Sequence, residues 1–99
     1  MLDIVFHPAA YEELRYAFLW YQERAQGLGD RFIEEIERAV TTVQQNPSTW
    51  PTYSHGTRRF LVHRFPFAIV YTQEEHAITV VAVMHLKRKP EYWQQRIQE

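Results

Sequence analysis

The chain has no cysteine, only three glycines, and only short apolar runs such as Val80-Val81-Ala82-Val83-Met84. Without cysteine there are no disulfides and no thiolate metal ligands, a composition that fits a reducing cytosol. A bilayer-spanning helix needs about 20 predominantly apolar residues, so no membrane contact is expected. The opening Met1-Leu2-Asp3-Ile4 lacks a basic stretch ahead of a hydrophobic one, which predicts no secretory signal and a cytoplasmic location. His7, His55, His63, His76 and His85 form neither an H-x-H nor an H-E-x-x-H spacing, so neither a metal site nor a cofactor is expected. Asn46-Pro47-Ser48 is not a glycosylation acceptor, because proline holds the middle position. Internal repeats and low-complexity segments are also missing.

What the 99 residues do contain is apolar and aromatic side chains, at 45% and 15% of the sequence. That suits one domain over residues 1–99 with a single core. The net charge of −1 conceals an asymmetry. Residues 1–50 carry eight Asp/Glu against four Arg, whereas residues 51–99 carry seven Lys/Arg against four Glu. The basic half can be drawn to phosphate or to an acidic protein segment.

Leu2 to Phe6 reads as a short strand, and Pro8 then preorganises the first turn of a helix. Tyr11, Leu14, Phe18 and Tyr21 recur at steps of three and four, with Ala17 and Trp20 beside them, and the helix should end near Gly27. Gly29 or Asp30 is placed to cap a second helix with Phe32, Ile36, Val40 and Val43 as its buried face. Glu34 and Arg38 are spaced for an i,i+4 pair, and Glu35 and Glu37 read as solvated. Asn46-Pro47 stops this helix, and a loop runs to Thr57. From Arg58 the period becomes two: Arg59, Leu61, His63 and Phe65 on one side, Arg58, Phe60, Val62 and Arg64 on the other, with Pro66 closing the strand. Phe67 to Thr72 and Ala77 to Leu86 follow as strands, the last rich enough in Ile and Val to be central. Pro90 should start a short final helix.

The order β-α-α-β-β-β implies an α+β fold: an antiparallel helical hairpin packed on a mainly antiparallel sheet, with a short C-terminal helical segment. The sheet face away from the helices cannot be wholly apolar on this reading. Arg58 or Arg59, His63 or Arg64, and His85 to Lys89 would then form an exposed working surface.

Several segments carry a family resemblance. His7-Pro8-Ala9-Ala10-x-x-Glu13-Leu14, Trp20-Tyr21 followed by Leu28-Gly29-x-x-Phe32, and Arg58-Arg59-x-x-Val62-x-Arg64-Phe65-Pro66-Phe67-x-Ile69-x-Tyr71 resemble, in order, the first helix, helical hairpin and central strands of the RelE/ParE superfamily. Ala82-Val83-x-His85-x-x-Arg88-x-Pro90-x-Tyr92-Trp93 resembles its ending. These are toxins of bacterial type II toxin-antitoxin systems, also called plasmid stabilisation proteins, each neutralised by a cognate antitoxin. RelE-like members cut messenger RNA on the ribosome, and ParE-like members inhibit DNA gyrase.

Metal-free RNA cleavage requires a base, an acid and a cation at the transition state. The resemblance places Ala68 and Leu86 where RelE-like members carry catalytic cations, while Tyr92 matches their C-terminal tyrosine. That departure implies a ParE-like toxin that acts by binding. If the chain is instead a nuclease, its catalytic set would be Arg64, His85, Arg88 and Tyr92. A third possibility is an inactive or regulatory binding module on the same fold. For a binder, the expected contacts to target or antitoxin are Arg58, Arg59, Arg64, Lys87, Arg88, Lys89, Trp20, Tyr21 and Trp93. Against these stand structural roles: solvated strand arginines, a hydrogen-bonded His85, and Tyr92 and Trp93 pinning the C-terminal segment.

Overall fold

The structure is a computed structural model that describes residues 2–97. Strand β1 (Asp3–Phe6) leads through His7, whose ring Nδ1 accepts the Ala9 N–H at 3.0 Å, into α1 (Pro8–Arg24). Helix α2 (Leu28–Gln45) returns antiparallel to it, and β2 (Arg58–Leu61), β3 (Phe67–Gln73) and β4 (Ala77–His85) complete the chain. The strands lie in the order β1-β4-β3-β2, with β1 parallel to β4 and the other two pairings antiparallel. The α+β expectation therefore holds, and no helix among the described residues is long and apolar enough to cross a membrane.

The main core lies between the helical hairpin and one sheet face. Phe32, Ile36, Ala39 and Val43 of α2 meet Ile69, Tyr71, Ile78, Val80 and Val83 of the sheet, and Leu14, Phe18 and Tyr21 of α1 close its side. Tyr21, Phe32, Phe65 and Phe67 form a ring cluster with centroids 4.9–6.3 Å apart. Such edge-on contacts add to the burial of the rings themselves. Tyr71 is fully buried and donates to the Pro47 carbonyl at 2.7 Å. Burial pushes its pKa up to about 12, although nearby Arg58 pulls the other way.

The hairpin turn differs from the expected one. Neither Gly29 nor Asp30 caps α2: Gly27 does, in a left-handed conformation (φ 77°) and with no side-chain bond, while Asp30 sits inside the first turn. Gly29 has another purpose. A Cβ there would lie 2.6 Å from Gln22 Oε1 and 2.7 Å from the Phe18 carbonyl oxygen, so its bare backbone is what lets the helices approach. Glu35, expected to be solvated, is buried and bonds Arg38 at 2.8 Å, displacing the anticipated Glu34–Arg38 pair.

Two further expectations give way in the sheet. Strand β2 ends at Leu61, opposite Ala68, because residues 62–66 must reverse the chain into β3; the Val62 N–H closes that turn on the Phe67 carbonyl at 2.9 Å. Alternation is lost there, and Phe65 joins Phe60 and Val62 on the helix side. The second sheet face is also apolar. Ala68, Val70, Ala82 and Met84 lie under Trp93, with Tyr53, Tyr92 and Ile97 around it, so β4 is buried on both sides. The predicted C-terminal helix is a single 3-10 turn, Gln94–Arg96, and Leu86 falls just beyond β4.

Candidate functional site

Strand β1 is shorter than β4, and this mismatch shapes the site. Their pairing runs from Asp3↔Ala77 to Phe6↔Val80, and the His7 N–H takes the Val80 carbonyl at 2.9 Å. Beyond Val80, side chains cap the outer edge of β4 in place of a strand. Glu13 Oε1 of α1 accepts the Val83 N–H at 3.0 Å, and Arg96 donates to the Val81 carbonyl at 3.0 Å. The same carboxylate accepts from both terminal nitrogens of Arg96 at 3.0 Å each and from the Tyr92 hydroxyl at 2.6 Å. This arrangement ties the C-terminal segment to α1 and to the sheet at one point.

The electrostatics of that point follow from its near burial. For Tyr92, burial foremost, then the hydrogen bond and charge of Glu13, drive the pKa well above the usual phenol range, against the opposing pull of Arg96 and Arg88. Burial alone would lower the Arg96 pKa; the bond and charge of Glu13 outweigh it and raise it. Tyr92 is thus held neutral with its proton committed to Glu13.

Beside this cluster, between α1 and the end of the β3–β4 ladder, runs a groove of about 730 Å³. Glu12, Tyr16 and Trp20 form one wall, and Pro66, Phe67, Val83, His85 and Arg88 the other. Tyr16 is 73% exposed and Trp20 42%, which leaves large apolar surfaces open on a helix whose other side is in the core. Arg24 covers one face of Trp20 at 3.6 Å, and Tyr21 meets its edge at 5.2 Å. At the far wall His85 Nδ1 accepts the Lys87 N–H at 3.0 Å, its ring lying edge-on to Phe67 at 5.0 Å, and Arg88 stacks on Tyr92 at 3.9 Å.

The structure divides the residues singled out from sequence into three groups. Trp20, Tyr21, His85 and Arg88 do come together around the groove, with Tyr92 behind it. Arg64 lies outside the strand once predicted for it, in the 62–66 turn with a left-handed backbone (φ 72°), and Lys87 and Lys89 lie in the segment after β4. Arg58 and Arg59 sit on opposite faces of β2: Arg58 donates to the Trp50 carbonyl, and Arg59 lies 4.7 Å from the Tyr53 ring. Trp93 cannot be a contact residue in this conformation. It is 0% exposed, because it is the plug of the second sheet face. Ala68 is likewise fully buried, whereas Leu86 is exposed. Sequence reasoning missed Glu13 and Arg96, which are 83 positions apart and carry no local signal. Tyr16 was missed as well, although its place one turn before Trp20 was available to see.

A helical hairpin on one face of a four-stranded mixed sheet, with a groove beside α1, defines a class of small α+β folds. The family model for the ParE toxin of type II toxin-antitoxin systems, parDE, matches residues 4–90, and the chain belongs to that family. In three dimensions it is similar to a chain of the chromosomal ParDE TA system from P. aeruginosa. The TM-score is 0.74 at 17% identity, covering 88% of this chain and 98% of the other, a likeness of fold. No curated protein sequence matches the chain.

Proposed function

We propose that this ParE-family toxin acts by binding and inhibiting DNA gyrase, and that a cognate antitoxin neutralises it by laying a segment with apolar anchors and acidic flanks into the groove along α1. The observation that carries the reading is the state of the positions a nuclease would need. Ala68 and Leu86 bring no cation, and the hydroxyl of Tyr92 is bound to Glu13 with its pKa driven up by burial. Transition-state chemistry on RNA would need such groups free and aimed at the phosphate. Binding needs only a complementary surface. The apolar walls around Tyr16, Trp20 and Phe67 suit the apolar anchors of a segment that folds as it docks, with its acidic flank toward Arg88 and His85 and away from Glu12 on the α1 wall.

The test uses purified toxin in two assays. The expected result is inhibition of gyrase supercoiling with messenger RNA left intact on programmed ribosomes. Cuts in messenger RNA that vanish in Arg64→Ala or His85→Ala variants would overturn the proposal in favour of a ribosome-dependent endoribonuclease. For the groove, Trp20→Ala should weaken antitoxin binding by about 2 kcal/mol, roughly 30-fold, as removal of an aromatic anchor does. Isothermal titration against the antitoxin encoded beside this gene measures it.

A further inference from the structure

Three exposed cations at one end of the molecule have no ion-pair partner among the described residues. The 62–66 turn and the segment after β4 lie side by side, joined by the Leu86 N–H on the Pro66 carbonyl at 2.9 Å and by the Phe67↔His85 pairing. Arg64 belongs to the first, Lys87 and Lys89 to the second, and all three are exposed. Among the described residues none of them has a carboxylate within ion-pair distance, whereas Arg15, Arg24, Arg38 and Arg96 each do. Arg31, Arg58, Arg59 and Arg88 lack one too, but Arg31 shares α2 with Asp30, Glu34 and Glu35, Arg58 donates to the Trp50 carbonyl, and Arg59 and Arg88 lie over the rings of Tyr53 and Tyr92.

The acids of neighbouring segments are already engaged. Glu13 holds Arg96 and Tyr92, Glu12 pairs with Arg15 at 3.5 Å, and Glu91 bonds His55 at 3.1 Å. Glu74 and Glu75 belong to the turn at the opposite end of the β3–β4 ladder, about 20 Å away at the usual rise per strand residue. The β3–β4 hairpin thus has its turn acids at one end and these cations at the other. None of the three cations lines the groove.

We propose that this end binds the phosphodiester backbone of duplex DNA without regard to base sequence. Two of the three are lysines, which supply point charges rather than planar forks, and a cluster of exposed cations on two turns inserts no helix or strand into a groove to read base edges. The choice of DNA rests on the gyrase reading: an inhibitor seated on an enzyme that works on DNA meets that polyanion with whatever surface its target leaves free.

The experiment is fluorescence anisotropy of a labelled mixed-sequence DNA duplex titrated with the full chain. Three phosphate contacts predict that raising salt from 50 to 200 mM weakens binding about 40-fold. Replacing Arg64, Lys87 and Lys89 together by Gln should abolish binding. The double replacement Lys87→Gln with Lys89→Gln, which leaves the left-handed turn intact, should cut the salt dependence to about a third. Arg15→Gln on α1 should bind as the parent does, and circular dichroism establishes that each variant is folded. No binding at 50 mM salt, an affinity insensitive to salt, a folded triple variant that binds like the parent, or tighter binding to duplex RNA each overturns the proposal. The mixture contains no gyrase, so failure here and failure of supercoiling inhibition are separate results.

Discussion

Glu13 holds four hydrogen bonds on one carboxylate, from Val83, Tyr92 and twice from Arg96. Glu13→Ala would leave a nearly buried guanidinium without its partner and the Val83 amide without an acceptor. Such a loss costs about 3–5 kcal/mol, and a urea midpoint measures it. Glu13→Gln keeps an acceptor for Val83 and should cost less. Tyrosine ionisation supplies a second test. Tyr71 and Tyr92 have folded pKa values raised above the ordinary 10.0, so the folded state holds their protons more tightly than the unfolded state. Their contribution is fully present below pH 10 and is lost as pH climbs above it, that of Tyr71 through about 12, where it ionises, and that of Tyr92 at higher pH still. Urea midpoints taken between pH 8 and 12 should fall over that window, and less steeply in Tyr71→Phe.

At the level of elements, the periodic signals carried far. The apolar face of α2 came out as Phe32, Ile36 and Val43, and the β-rich run 77–85 is the doubly covered central strand. What period could not tell was where a strand must stop to let the chain turn, so Arg64 was placed in a ladder that ends at Leu61. Nor could it distinguish the two roles of neighbouring glycines. Gly27→Ala meets open space but a strained backbone, and should cost about 1–2 kcal/mol. Gly29→Ala has an ordinary backbone but drives a methyl against the Phe18 carbonyl, which cannot rotate away. It should cost about 1–3 kcal/mol by forcing α1 and α2 apart. Thermal melts of the two variants, combined singly with Gln22→Ala, separate the causes: only the Gly29 variant should be partly relieved by a shorter neighbour.

For the whole molecule, the sequence suggested one covered sheet face and one open, and the protein covers both. Trp93 made the difference: a role in pinning the C-terminal segment was expected of it, but the surface it meets was hidden, because an aromatic near a C-terminus has no periodic partner to reveal it. The groove was legible only in part: Trp20 and Tyr21 stood out as aromatics, but the opposite wall is brought in by β3 and β4 from more than 40 positions away. The capped edge of β4 also sets an order of events. Its closing contacts join residues 70 and 83 positions apart, whereas the helical hairpin and the β2–β3–β4 meander are built from near neighbours in sequence. Contacts of such long separation form late, after the local units have paid their own loop-closure entropy. Glu13→Gln should then leave the refolding rate nearly unchanged and speed unfolding, a φ-value near zero in stopped-flow chevrons. A toxin closed by so distant a contact is one whose lifetime, more than its speed of folding, is set by a single carboxylate.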